Sequence, residues 1–385
     1  MSAPSHIGLV AQGGAGWPGG SEYIRNLARA LNEADPKLRV SIVCGTAQAA
    51  EWKSSSEQIV QVAPHRRSLL DRFRPAHPEL SRAIREAGIE FLYPFTYDNR
   101  YNLGVELPLG RVLGSCRWAG WIPDFQHRHL PQLFSEKEIA RRDRGIQQLV
   151  SEAPKIVLSS ASAAADLAKF HPTSSTRAEV LTFATFPHPD WYCHFAGENL
   201  DWLPERFFLV SNQFWKHKNH LLLFEALAQL ASRGVRPVVV CTGQLADFRD
   251  PDYTNVVLQA LQRHRVAGQV LLLGNIARRT QIELMRRALA VVQPSRFEGW
   301  STVVEDARAL GQRVLLSDLP VHREQNPPGA RFFSPDSATE LAAALEEAWS
   351  TLAPGPHLGR EQAAQVAAAE RIRAVGRRFL EIAAS

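Results

Sequence analysis

The sequence predicts an α/β protein of two doubly wound parallel sheets. Three observations carry that expectation. Short apolar runs alternate with amphipathic helical segments along most of the chain. The alternation fails between Leu181 and Pro204, then restarts at Phe207 in the same rhythm. The chain of 385 residues also exceeds what one ordinary hydrophobic core organises.

In the first half, residues 7–11 form a short apolar run fit for a buried strand, and 21–31 show helical spacing through Tyr23, Ile24, Leu27 and Leu31. Residues 40–44, 91–93 and 156–159 read as further strands, the last followed by a helix starting near Ser162. The segment Phe186-Pro187-His188-Pro189-Asp190-Trp191-Tyr192 is rich in proline and aromatics, which suits an interdomain connection. The second half reads as strand 207–210, helix 221–230, strand 238–241, helix 253–264, strand 270–273 and helix 280–289, followed by apolar strands at 289–292 and 314–316. Residues 361–382 form a long helical segment rich in Ala and Arg. The expected divisions are 1–195, 196–360 and 361–385.

Composition narrows the function classes. Cys44, Cys116, Cys193 and Cys241 lie far apart without a C-x-x-C pair, so zinc and redox motifs are unsupported and free thiols in a reducing compartment are expected. The first residues enter a strand with no room for a signal peptide, and no apolar run reaches membrane-spanning length. The net charge of +5 comes with no nucleic-acid-binding motif, so no nucleic-acid partner is expected. A cytoplasmic protein is the resulting expectation.

The most informative stretch is Pro294-Ser295-Arg296-Phe297-Glu298-Gly299-Trp300-Ser301-Thr302-Val303-Val304-Glu305-Asp306-Ala307-Arg308-Ala309-Leu310-Gly311. It lies between two apolar strands. Thr302 and Glu305 have the spacing of a capping box, and Gly311 stands where a left-handed C-terminal residue belongs. Glu298 therefore sits on the loop leaving a strand, where open α/β sheets bind ligands. Glu305 and Asp306 fall in the first turn of the next helix. Carboxylates accept hydrogen bonds from sugar and ribose hydroxyls, and free N–H groups at a helix start favour phosphate.

This segment resembles the Glu-x7-Glu motif of retaining glycosyltransferases of the GT-B fold, family 4. The resemblance implies two Rossmann-like domains facing a cleft: an acceptor-side domain at 1–195, a nucleotide-sugar-binding domain at 196–360, and a terminal helix at 361–385 that crosses back to the first. It implies that Glu298 contacts the donor sugar, with Gly299, Trp300, Ser301 and Thr302 around it, and that Asp306 takes the ribose hydroxyls. Glu305, one residue early, is the alternative, although capping explains it.

Five further segments fit the same reading. The loop Gly13-Gly14-Ala15-Gly16-Trp17-Pro18-Gly19-Gly20 separates the first strand from the first helix, with Ser21 as a candidate cap. The spacing is neither G-x-G-x-x-G nor a Walker motif. The resemblance makes Gly19 and Gly20 the closest backbone approach to a donor diphosphate. In Ser211-Asn212-Gln213-Phe214-Trp215-Lys216-His217-Lys218-Asn219-His220, the family carries an Arg and then a Lys that neutralise the diphosphate. Lys218 matches the Lys. Asn212 and Gln213 occupy the Arg position, and Lys216 reads as a solvated charge. In Trp121-Ile122-Pro123-Asp124-Phe125-Gln126-His127-Arg128-His129-Leu130-Pro131, Asp124 remains of a family His-Asp pair. His127 is the first candidate beside the reacting carbon and His129 the second, against a structural role for either. Ser159-Ser160-Ala161-Ser162 matches a family serine turn or a plain helix cap. Gly274-Asn275-Ile276 resembles the turn that contacts the base, while His322-Arg323-Glu324-Gln325 has no assigned role.

The function expected is sugar transfer with retention from a nucleotide-sugar donor to a glycan, lipid-linked or other hydroxyl acceptor, in cell-surface polysaccharide or glycoconjugate synthesis. The resemblance implies front-face attack assisted by the donor phosphate, with no metal and no cofactor beyond the donor substrate. An epimerase or hydrolase of the same fold, or a non-catalytic nucleotide-sugar-binding protein, are the alternatives. Basic residues His65, Arg66, Arg67, Arg72, Arg74, Arg82 and Arg85, interleaved with Leu69, Leu70 and Phe73, read as a solvated face or as a peripheral dock for an anionic inner-leaflet surface.

Overall fold

The computed structural model describes residues 3–14, 18–53, 58–63, 77–97, 103, 113–193, 200–247 and 249–385. The chain forms two compact units. The first comprises Met1–Pro131, Ser135–Phe186 and Ala369–Ser385, and the second Gln132–Phe134 and Pro187–Ala368.

The first unit is built on a parallel sheet of β1 (His6–Val10), β2 (Arg39–Gly45), β3 (Gln58–Val62), β4 (Phe91–Phe95), β5 (Arg117–Ile122), β6 (Lys155–Leu158) and β7 (Arg177–Val180), in the order β3-β2-β1-β4-β5-β6-β7. The second holds β8 (Phe208–Ser211), β9 (Val239–Thr242), β10 (Val270–Leu272), β11 (Val291–Gln293), β12 (Val314–Ser317) and β13 (Ala330–Phe333), in the order β10-β9-β8-β11-β12-β13. In each sheet the strand order reverses once, between β1 and β4 and between β8 and β11. Ligands bind outside the carboxyl ends of the strands at such a reversal.

Burial explains which strands were legible. Every residue of β1, β4, β8 and β11 is buried, so each reads as an apolar run, with a polar residue only at a strand end (His6, Ser211, Gln293). Alternate residues from Phe207 through β8 serve two cores. Phe208 and Val210 pack with helices His220–Ser232 and Ala338–Thr351, whereas Phe207 and Leu209 pack with Arg278–Arg287 and Thr302–Ala309. Three of the four edge strands, β3, β7 and β13, are partly exposed and carry Gln, Arg or Glu among their apolar residues, so no apolar run announces them.

The last helix runs Leu358–Ala384, and from Ala369 onward it belongs to the first unit. Phe379 is fully buried edge-on to Phe91 and Tyr93, with ring centroids at 5.9 and 5.0 Å. A Cβ at Gly376 would stand 2.1 Å from the Ala30 carbonyl oxygen, so glycine alone permits this approach. Lys155 Nζ donates to the Ile382 carbonyl at 2.6 Å, and Arg378 donates to Glu179 at 2.6 Å. Among the described residues, no helix is long and apolar enough to cross a membrane. Of the basic cluster, His65 to Arg74 lie outside the described residues; Arg82 and Arg85 are on helix Pro78–Ala87.

Candidate nucleotide-sugar site

The loops leaving β8 and β11 meet at the reversal of the second sheet. After β8 the chain makes a short 3-10 turn, Lys216–Lys218, and passes through Asn219 in the left-handed region (φ +60°). Asn tolerates that conformation, and its amide closes the turn by donating to the carbonyls of Pro294 (3.1 Å) and Pro335 (2.9 Å). The Arg296 N–H donates to the His217 carbonyl at 2.8 Å, which joins the two loops.

This junction brings Lys218 and Glu298 together. Lys218 Nζ donates to Glu298 Oε1 at 2.7 Å, and Gln293 Nε2, at the end of β11, donates to the same oxygen at 2.7 Å. Gln293 is fully buried and accepts from Asn212 Nδ2 at 2.8 Å, so Asn212 orients it. The Glu298 side chain is 8 % exposed. Burial pushes its pKa up, but the Lys218 ammonium outweighs burial and holds it at about 2. It is an anion at neutral pH. Burial drives the pKa of His217 and His322 down and that of His220 to about 3, so these rings are neutral. His220 is stacked on Phe214 at 3.9 Å, and His322 Nδ1 meets the Ser317 carbonyl at 2.8 Å.

The helix Thr302–Ala309 starts one residue earlier than the capping-box reading implied. Ser301 is the N-cap, and its Oγ accepts from the Val304 N–H at 3.4 Å. Gln325 occupies both backbone groups of Ser301, accepting from its N–H (3.2 Å) and donating to its carbonyl (3.0 Å). The cap N–H that a box glutamate would take is already used. Glu305 instead accepts from Gln325 Nε2 (3.1 Å) and pairs with Arg308 (3.5 Å), at 1 % exposure. Asp306, 2 % exposed, is gripped by Arg278: both of its oxygens accept from the guanidinium at 2.7 Å. That guanidinium lies 4.9 Å from the Trp191 ring centroid. Gly311 ends the helix with φ +62°, as expected.

The remaining second-unit candidates surround this centre. Gly299, Trp300 and Thr302 are partly exposed on the loop and first helical position, and Ser301 is buried. Asn275 is exposed on the turn after β10. That turn is held by Gly243, whose N–H donates to the Gly274 carbonyl at 2.8 Å. Gly243 has φ +111°, and a Cβ there would stand 2.3 Å from the Asn212 carbonyl oxygen. Gln213 Oε1 accepts from the Gln244 N–H at 2.7 Å, and Lys216 is engaged by Asp250. A cavity of about 550 Å³ opens near Phe207, which leads into β8 at its amino end; no candidate residue lines it.

The first unit holds its own set. Gly19 and Gly20 form the first turn of helix Pro18–Ala34, and residues 15–17 lie outside the described residues. This helix begins at Pro18, a favoured first helical residue, so Ser21 is not its cap. Ser21 Oγ instead accepts from the Gly14 N–H at 3.1 Å. Asp124 Oδ1 accepts from the Gln126 N–H at 2.9 Å. His127 is 1 % exposed, with Nε2 3.0 Å from Asp143 Oδ1, and burial lowers its pKa. His129, more exposed, meets Asp166 at 2.7 Å. Ser160 caps helix Ala161–Phe170, its Oγ accepting from the Ala163 N–H at 3.0 Å.

Four residues of the second-unit site escaped sequence reading. Gln293 was visible as a polar end to an apolar strand, and Gln325 and His322 lay in the polar loop left unassigned. Arg278 had no signal beyond its place at a helix start.

Residues 188–351 match the family model described as Glycosyl transferases group 1, a span that contains the whole second sheet. The structure also resembles solved ones. The Anabaena protein HepE, determined with UDP and glucose, superposes with a TM-score of 0.69 at 16 % identity, covering 98 % of both chains. Sucrose-phosphate synthase from Thermosynechococcus elongatus gives a TM-score of 0.67 at 15 % identity, again over 98 % of both. A glycosyltransferase from Rickettsia africae gives 0.66 at 14 % identity, covering 100 % of this chain and 98 % of that one. No curated protein sequence matches the chain significantly. The fold is GT-B: two parallel-sheet, Rossmann-like domains.

Proposed function

We propose that this protein is a retaining glycosyltransferase of family 4 that moves a sugar from a nucleotide donor to a glycan, lipid-linked or other hydroxyl acceptor. The observation that carries the reading is the Glu298–Lys218 pair with Gln293 at the reversal between β8 and β11. A carboxylate with a pKa near 2 is a weak base. It suits accepting hydrogen bonds from donor-sugar hydroxyls rather than removing a proton. Both donors to Glu298 converge on Oε1, and Oε2 accepts from no described residue. Lys218 supplies the cation that a departing nucleoside diphosphate requires. Glu305 and Asp306 are buried in their own pairs, and neither serves as a covalent nucleophile in this reading. The donor phosphate then assists the acceptor hydroxyl on the same face, and configuration is retained. The reading calls for no metal.

HepE was solved with UDP, so UDP-sugars head the list of donors to try. Thermal stabilisation by a panel of UDP-, GDP- and TDP-sugars identifies the donor, and product analysis with and without acceptors identifies the reaction. Acceptor-dependent transfer supports the proposal. Turnover without an acceptor indicates an epimerase or hydrolase, and binding without turnover a non-catalytic protein. Cell-surface polysaccharide or glycoconjugate synthesis at the inner membrane face is the proposed setting, with the basic cluster of the first half docking on anionic lipid. Co-sedimentation with anionic vesicles should weaken as salt rises, and none at low salt rejects that docking.

A further inference from the structure

Asp306 is buried. Its side chain is 2 % exposed and both oxygens are taken by Arg278 at 2.7 Å. Arg278 is different: its side chain is 37 % exposed, with the guanidinium set against Trp191. Its Nη1 also donates to Gln281 Oε1 at 2.9 Å. Gln281 Nε2 in turn donates to Ser211 Oγ at 2.5 Å, and Ser211 meets Thr242 at 3.0 Å. Ser211 and Thr242 are the last residues of β8 and β9. This chain of bonds ties the guanidinium to the carboxyl ends of those strands.

We infer that Arg278, and not Asp306, is the group that meets the ribose of the nucleotide, and that Asp306 is a positioning residue acting through it. The inference rests on the glycosyltransferase reading above. Its chemistry is distinct from that of a bare acid. A carboxylate accepts from ribose hydroxyl protons, whereas a guanidinium donates to ribose hydroxyl oxygens. The bidentate grip and the indole together hold the fork in one orientation, which a lysine would not reproduce.

Titration calorimetry of UDP and GDP, each with its 2′-deoxy counterpart, into the full-length protein tests this. For the nucleotide that binds, the wild type should lose roughly tenfold in affinity when the hydroxyl is removed. Arg278→Met should bind the ribo and deoxy ligands within about twofold of each other, and Arg278→Lys should not restore the difference. Arg278→Met leaves a buried carboxylate unpaired, so Arg278→Met/Asp306→Asn is measured beside it and keeps the test readable if the single variant unfolds. The double variant should show the same lack of discrimination. Hydroxyl discrimination that survives without Arg278, or that disappears only when Asp306 is also changed, overturns the inference and returns the ribose contact to the acid. Failure of the wild type to bind UDP, GDP or TDP overturns the glycosyltransferase reading itself, whereas binding of TDP alone, whose sugar already lacks the 2′-hydroxyl, overturns the ribose contact.

Discussion

Glu298 with Lys218 and Asp306 with Arg278 are both acid–cation pairs joined at 2.7 Å beside the same sheet, yet they leave different groups facing outward. Lysine is a point charge. It takes one oxygen of Glu298 and leaves the other without a donor among the described residues, so the acid remains able to accept a hydroxyl. Arginine is a fork. It covers both oxygens of Asp306 and turns the exposed side of the pair from acceptor into donor. Two acids that look alike in sequence thus differ in chemistry through the shape of the cation that each one meets.

The largest expected effect breaks the first pair on its acid side. Glu298→Gln should keep the fold and cost about a hundredfold or more in transfer, because that other oxygen is asked to hold a donor-sugar hydroxyl as the bond breaks. Transfer at the wild-type rate removes Glu298 from the site. Breaking the pair on its cation side comes next. Lys218→Ala should weaken nucleoside diphosphate binding roughly ten- to a hundredfold and leave the free nucleoside unaffected. Equal losses for both ligands, measured by calorimetry, reject the diphosphate role.

The same pair makes a prediction about acid. The folded pKa of Glu298 lies near 2, below the ordinary 4.5, so its contribution to stability is present above pH 4.5 and is lost as the pH falls toward 2. Lys218→Ala removes the leading favourable charge. Thermal melts between pH 2 and 5 should show the acid transition moving to higher pH in that variant, and an unmoved transition denies the coupling.

The second pair should respond more weakly. Asp306→Asn retains one acceptor for Arg278 and should weaken nucleotide affinity several-fold, whereas Glu305→Gln, whose partners Gln325 and Arg308 face inward, should stay within about twofold. The reverse order would place the working acid one residue earlier. The smallest change in nucleotide affinity is expected in the first unit. His127 is buried against Asp143, so His127→Ala should cost about 1–3 kcal/mol of stability and leave nucleotide affinity unchanged. Reduced transfer in a variant of unaltered melting temperature would show that the ring also serves the reaction.

Sequence alone determined the two parallel sheets, the positions of their buried strands and the placing of Glu298 on a loop at a strand's carboxyl end. Those features are local: a strand covered on both faces is apolar along its length and turns polar only at its end, as at Gln293, and a left-handed helix end calls for a residue such as Gly311. Tertiary structure decided everything that depends on a partner distant in the chain. Lys218 and Glu298 are 80 residues apart and meet only because β8 and β11 are neighbours at the reversal of strand order. Ser301 and not Thr302 caps its helix, and Gln325, 24 residues on, occupies the group that a capping glutamate would use. Arg278 reverses the outward chemistry of Asp306 from 28 residues away. Periodicity records which face of an element is buried. It does not record which charged side chain waits on the neighbouring element, and at this site that neighbour decides whether an acid accepts a hydroxyl or only holds an arginine.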